Sequence, residues 1–166
     1  MSVLKKYGFC LSLEEPKIVW VEGGVPPSVA DITLFRGGKV DEGKEKWDTR
    51  SLYFKVPEGK RIIADGGYAG EPTKITIVSH LHPKDMKEYI SLAKARQETF
   101  HTRLKSFNIL GNRFRHGKNT QEKMTLHKMA VEAISTIVQY DFENGHPPFD
   151  MPYWFTTMLD LFFIYN

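Results

Sequence analysis

The sequence predicts a mixed α/β layer, on three observations. Short β-favouring runs occupy its first half, and two long stretches of its second half repeat apolar residues near the helical period. Between them an apolar run, Arg61 to Ala64, ends in Asp65-Gly66-Gly67. That is the pattern of a strand leaving a sheet into a tight turn.

The elements follow in order. Tyr7 to Leu13 and Lys17 to Glu22, joined by Glu14-Glu15-Pro16, read as an antiparallel hairpin ended by Gly23-Gly24. Pro26-Pro27-Ser28 makes a turn, and Asp31 to Arg36 a short helix stopped by Gly37-Gly38. Residues 39–60 are charged and form a loop region with room for one short helix. Arg61 to Ala64 and Lys74 to Ser79 are strands, expected to run parallel. Pro83 to Leu104 is a long helix, with Ile90, Ala93, Phe100 and Leu104 recurring on one face and Gln97 interrupting it. A second helix runs from Asn119 to about Tyr140. Asn119 and Glu122 resemble a capping box, and Leu126, Ala130, Ala133, Ile134 and Ile137 supply the apolar face. Gly145 and Pro147-Pro148 forbid its continuation.

The chain has 166 residues, one domain's worth, with a net charge of +3 and a pI of 8.9. That balance is too mild to argue for nucleic acid by itself, so the distribution of charge has to decide. Cys10 is the single cysteine. An intrachain disulfide or a cysteine metal site is therefore excluded, which fits an intracellular compartment. Met1 to Leu13 lacks the sustained apolar stretch of a secretory leader, so none is expected. The most apolar run, Met151 to Tyr165, is interrupted by Asp160 and is too short to span a bilayer. It reads as a core or docking segment.

Two acidic residues stand out. Asp65 leaves a strand into a Gly-Gly turn, where a carboxylate has a fixed direction and a phosphate could approach closely. The plainer alternative is an ordinary strand-end turn. Glu98 lies within the long helix, with Lys94, His101 and Lys105 on roughly the same face. It could project as a metal-ligating carboxylate or sit on a solvated face with ordinary ion pairs. From Arg96 to Lys118, Glu98 is the one acidic residue among Arg96, Arg103, Lys105, Arg113, Arg115 and Lys118, with Phe107, Phe114 and His116 interleaved. A basic stretch with aromatics suits a polyanion.

Several blocks, taken in order, resemble the Harbinger-type DDE superfamily endonucleases, a transposase-derived nuclease family. Gly24-Val25-Pro26-Pro27-Ser28 through Asp31-Ile32-Thr33-Leu34-Phe35-Arg36 is similar to that family's Pro-Gly-Ser, Asp, Phe-Arg segment. Ile63-Ala64-Asp65-Gly66-Gly67-Tyr68 is similar to its second catalytic block. Ala95-Arg96-Gln97-Glu98-Thr99-Phe100 with Arg103-Leu104-Lys105 is similar to its third, and Arg113-Phe114-Arg115-His116 completes the set. The blocks cover roughly 7–140.

The resemblance implies a ribonuclease-H-like mixed sheet with flanking helices over 1–149, followed by a tail, 150–166, of no assigned role. It implies DNA strand cleavage by carboxylates holding two divalent ions, magnesium or manganese. Asp65 and Glu98 would be catalytic metal ligands, and Arg96, Lys105, Arg113 and Arg115 would hold DNA phosphates. The expected partner is DNA, with self-association or a separate DNA-binding protein alongside, and no membrane. A nuclear location is expected in a eukaryote and an intracellular one otherwise. The family's first catalytic Asp lies on a central strand before the hairpin. The chain begins at or inside the hairpin, so this strand and its Asp are expected to be missing, with the sheet edges beside them uncovered. In the family Asp31 opens a helix, where capping is its expected role. Three function classes follow: a metal-dependent DNA endonuclease, a non-catalytic DNA- or protein-binding derivative, and a degenerate mobile-element fragment.

Overall fold

The computed structural model describes residues 5–38, 40, 41, 44, 45, 48–112, 114–151 and 161–165. Strands β1 (Lys6–Ser12) and β2 (Ile18–Val25) form the expected antiparallel hairpin. Helix α1 (Asp31–Arg36) follows, then two-residue strands β3 (Val40–Asp41) and β4 (Lys44–Glu45), and the one-turn helix α2 (Leu52–Lys55). Strands β5 (Arg61–Ala64) and β6 (Ile75–Ile77) run parallel, as expected. Helices α3 (Lys84–Ser106), α4 (Asn108–Gly111) and α5 (Thr120–Glu143) precede a last strand, β7 (Leu161–Tyr165).

The main sheet has five strands in the order β2-β1-β7-β5-β6. β7 is antiparallel to β1 and parallel to β5. The place expected to be empty is thus filled from the far end of the chain, and the run read as a core or docking segment supplies the middle of the sheet. Leu161-Phe162-Phe163-Ile164-Tyr165 is a continuous apolar run, the composition of a strand flanked on both sides.

Strand alternation divides the core. From β1, Cys10 packs with Phe35 of α1, Leu52 of α2, and Ile62, Ala64, Tyr68 and Ile75. Its neighbours Phe9 and Leu11 turn the other way, onto Phe100 and Leu104 of α3 and Val131, Ile134, Val138 and Phe142 of α5. On β5, Ile63 joins Leu13, Tyr89, Ile90, Ala93 and Met151 beside α3. The sheet therefore lies between the small helices α1 and α2 and the long helices α3 and α5.

Two sequence expectations shift. Gly23-Gly24 does not end β2: Tyr7 pairs with Gly23 and Lys6 with Val25, so the glycines carry a bulge and the strand continues past them. On α5, Ile137 is exposed and Ala133 lies outside the core, whereas Val131, Ser135, Val138 and Phe142 are buried along with Ile134. The buried face is rotated by about a third of a turn from the expected one, at 3.6 residues per turn.

Candidate functional site

β5 ends at Ala64, and Asp65 begins the one-turn 3-10 helix Gly66–Tyr68, whose first bond runs from the Tyr68 N–H to the Asp65 carbonyl (3.0 Å). The Asp65 carboxylate is half-buried and accepts the Lys94 ammonium of α3 at 2.8 Å. Lys94 thus ties the strand end to the helix. Glu98 follows one turn later on α3, exposed and on the same side of the helix as Lys94. Lys87, Lys94, Glu98 and Lys105 recur at helical spacing, a mainly basic stripe of ~27 Å at 1.5 Å per residue.

Gln97, which interrupts the apolar face in sequence, is buried and hydrogen-bonded to His101 Nε2 at 3.2 Å. Burial, with the Lys105 ammonium adding, holds the His101 imidazole down at about 4. His101 is thus neutral and packed edge-on against Phe9 and Phe100, a core residue rather than part of a phosphate-facing surface.

Arg96 corrects the expectation of a DNA contact. It is 2% exposed, and its guanidinium donates to the carbonyls of Phe149, Pro148 (3.4 Å) and Glu15 (2.9 Å). It clamps the hairpin turn and the segment after α5 onto α3, and cannot reach a phosphate. Lys105 and Arg115 are exposed and free to do so. Arg113 lies outside the described residues.

Asp31 was expected to cap a helix. Instead Ala30 holds the cap position of α1 and no side chain caps it. The Asp31 carboxylate pairs with Lys6, and both side chains are 22% exposed. It also lies directly against Gly67: a Cβ there would overlap Asp31 Oδ2. The glycine two residues after Asp65 therefore has a steric reason, the close approach of a second carboxylate. Tyr68, at the end of the same turn, is 1% exposed, and its hydroxyl has no hydrogen-bond partner. Burial first, then the charges of Asp31, Cys10 and Asp65, push that hydroxyl well above the usual phenol range. The sequence signal that could have found this arrangement is the second glycine of Asp65-Gly66-Gly67, which a simple turn does not need.

Among the described residues, no group of three or more His, Cys, Asp or Glu side chains is gathered so as to hold a metal ion. The strand beside β5 is Leu161-Phe162-Phe163-Ile164-Tyr165 and carries no carboxylate. No described helix is long and apolar enough to cross a membrane. No family model, curated protein or solved structure matches the chain.

Proposed function

We propose that this chain is a transposase-derived nuclease domain of the Harbinger DDE type, with a ribonuclease-H-like sheet, that binds DNA and does not cleave it unaided. The observation that carries the reading is the Lys94–Asp65 ion pair. It brings a strand-end carboxylate to the basic face of α3 that also presents Glu98. The strand order supports it: the sheet is mixed and has a central strand beside the hairpin, where the resemblance expects one. The central strand here is β7.

DNA binding would run through phosphates along the α3 stripe, with Lys105 and Arg115 as the contacts free of structural duty. Cleavage is another matter. Two divalent ions held close together repel, and need carboxylates placed to touch both. Asp65 is paired with Lys94, Glu98 lies a turn beyond Lys94, and β7 contributes no acid, so the described residues do not fit a two-ion centre. The non-catalytic reading is favoured over the endonuclease reading on that ground.

Incubating the 166-residue chain with magnesium or manganese and plasmid or oligonucleotide DNA tests this. The expected result is a mobility shift with no cut products. Cleavage that disappears in Asp65→Asn would overturn the non-catalytic half of the proposal.

A further inference from the structure

We infer that the outer face of α5 is where two copies of this chain associate, helix against helix and antiparallel. The apolar face legible in the sequence of α5 exists, but it is turned to solvent. Met129, Ile137 and Tyr140 are each more than half exposed, Ala133 is exposed and Leu126 half-buried. The other side of the helix, through Val131, Ile134, Val138 and Phe142, already builds the core with β1 and α3. A second apolar stripe on such a helix marks an interaction surface.

The pattern of the stripe selects the occupant. Met129 and Ile137 lie four residues to either side of Ala133, and Leu126 and Tyr140 seven. A two-fold axis at Ala133 makes such a stripe complementary to itself. At roughly 100° per residue, Met129 and Tyr140 fall on one side of the line through Ala133, and Leu126 and Ile137 on the other. An antiparallel copy therefore sets Met129 beside the second copy's Tyr140 and Leu126 beside its Ile137. The two Ala133 methyls meet at the centre, where small side chains let the helices approach closely.

The charges agree with that orientation. Lys123 and Asp141 flank the stripe on one side, ten residues before Ala133 and eight after it, so each Lys123 comes near the other copy's Asp141. Asp141 already accepts Arg103 at 3.0 Å, so this is a rim contact that sets register more than affinity. Glu132, near the axis on the other flank, carries Lys128 at 3.9 Å. A parallel pair would instead put Asp141 beside the second copy's Glu143, like charge on like. From Leu126 to Tyr140 the stripe is ~21 Å long at 1.5 Å per residue. One helix pair of that length falls below the ~1,200 Å² of a standard interface, so the dimer is weak, with a dissociation constant on the order of micromolar. None of these residues is a phosphate contact, and the inference does not rest on the DNA-binding reading.

Sedimentation equilibrium of the whole chain, from about 1 to about 500 μM, should show a monomer–dimer equilibrium. Ile137→Glu should weaken it by about tenfold or more while unfolding as the parent does, because the side chain is exposed. Oxidative cross-linking reads the orientation, since Cys10 is fully buried and an introduced cysteine reports alone. Ala133→Cys should give a disulfide-linked dimer. Met129→Cys and Tyr140→Cys should each link poorly alone and readily when mixed, a gain that misfolding cannot produce. A chain that stays monomeric throughout the range would overturn the inference and leave the face to a different partner. Parent-like association of Ile137→Glu would overturn it by placing the contact elsewhere. So would a mixture that links no better than its components, or self-linking of Tyr140→Cys equal to that of Ala133→Cys, the mark of a parallel pair.

Discussion

Arg96 and Lys105 sit nine residues apart on one helix, and a sequence reading assigns both to phosphate. Charge type and spacing do not say which way a side chain points into the fold, and the three carbonyls that hold Arg96 come from segments distant in sequence. The two residues therefore separate on mutation. Arg96→Met should destabilise the fold by roughly 2–4 kcal/mol, because three carbonyls lose the charged donor that joins their segments to α3, and thermal or urea unfolding will register it. DNA affinity of the folded fraction should be unchanged. Lys105→Ala should do the reverse. His101 makes a further prediction. Its imidazole titrates at about 4 in the fold and near the ordinary 6.5 when unfolded. The unfolded chain thus binds the extra proton first. This contribution is fully present above about pH 6.5 and is lost as pH falls through about 4, on the order of 3 kcal/mol in all. His101→Gln, which can still bond Gln97, should flatten stability over that interval. An unaltered pH dependence in that variant would show that other groups carry it.

The helices and strands were the most legible part. The hairpin, β5, β6, α3 and α5 all stand where periodicity placed them, within a few residues. The buried face of α5 was not legible, because apolar residues lie nearly all round it: Met129, Ile137 and Tyr140 are exposed while Val131, Val138 and Phe142 are buried. Only the partner surfaces, Phe9 and Leu11 of β1 and Phe100 of α3, fix the rotation. The cap of α5 was legible. Asn119 Oδ1 accepts the Glu122 N–H at 2.9 Å, although the Glu122 carboxylate reaches back to Lys118 N (2.7 Å) rather than to Asn119 itself. Asn119→Ala should cost about 1 kcal/mol. Asn119→Asp should be nearly neutral by the same unfolding measurement, since it keeps the acceptor.

At the scale of the whole molecule, the sheet's middle was the feature the sequence hid. Nothing local says that Leu161–Tyr165 pairs with Phe9–Ser12 on one side and Arg61–Ala64 on the other, because both partners lie about a hundred residues or more away. Removing residues 152–166 would open the β1 and β5 edges together. The shortened chain should aggregate or lose its cooperative unfolding transition, whereas parent-like unfolding would mean that β7 contributes nothing to the sheet. Asp31 was hidden for a similar reason: its neighbour at the site, Gly67, is 36 positions away. The candidate site was therefore half legible. Asp65, Lys94, Glu98 and Lys105 could be read from turn chemistry and spacing; Asp31, Tyr68 and the inward turns of Arg96 and His101 could not.

The central claim is that an exposed basic face of this fold holds DNA by its phosphates. Fluorescence anisotropy of a labelled duplex, titrated at several salt concentrations in chelator, tests it most directly. Phosphate contacts release counterions, so log affinity should fall linearly with log salt, and Lys105→Ala with Arg115→Ala should reduce the slope by about 2. A slope unchanged in that double variant, or affinity that does not respond to salt, would contradict the account.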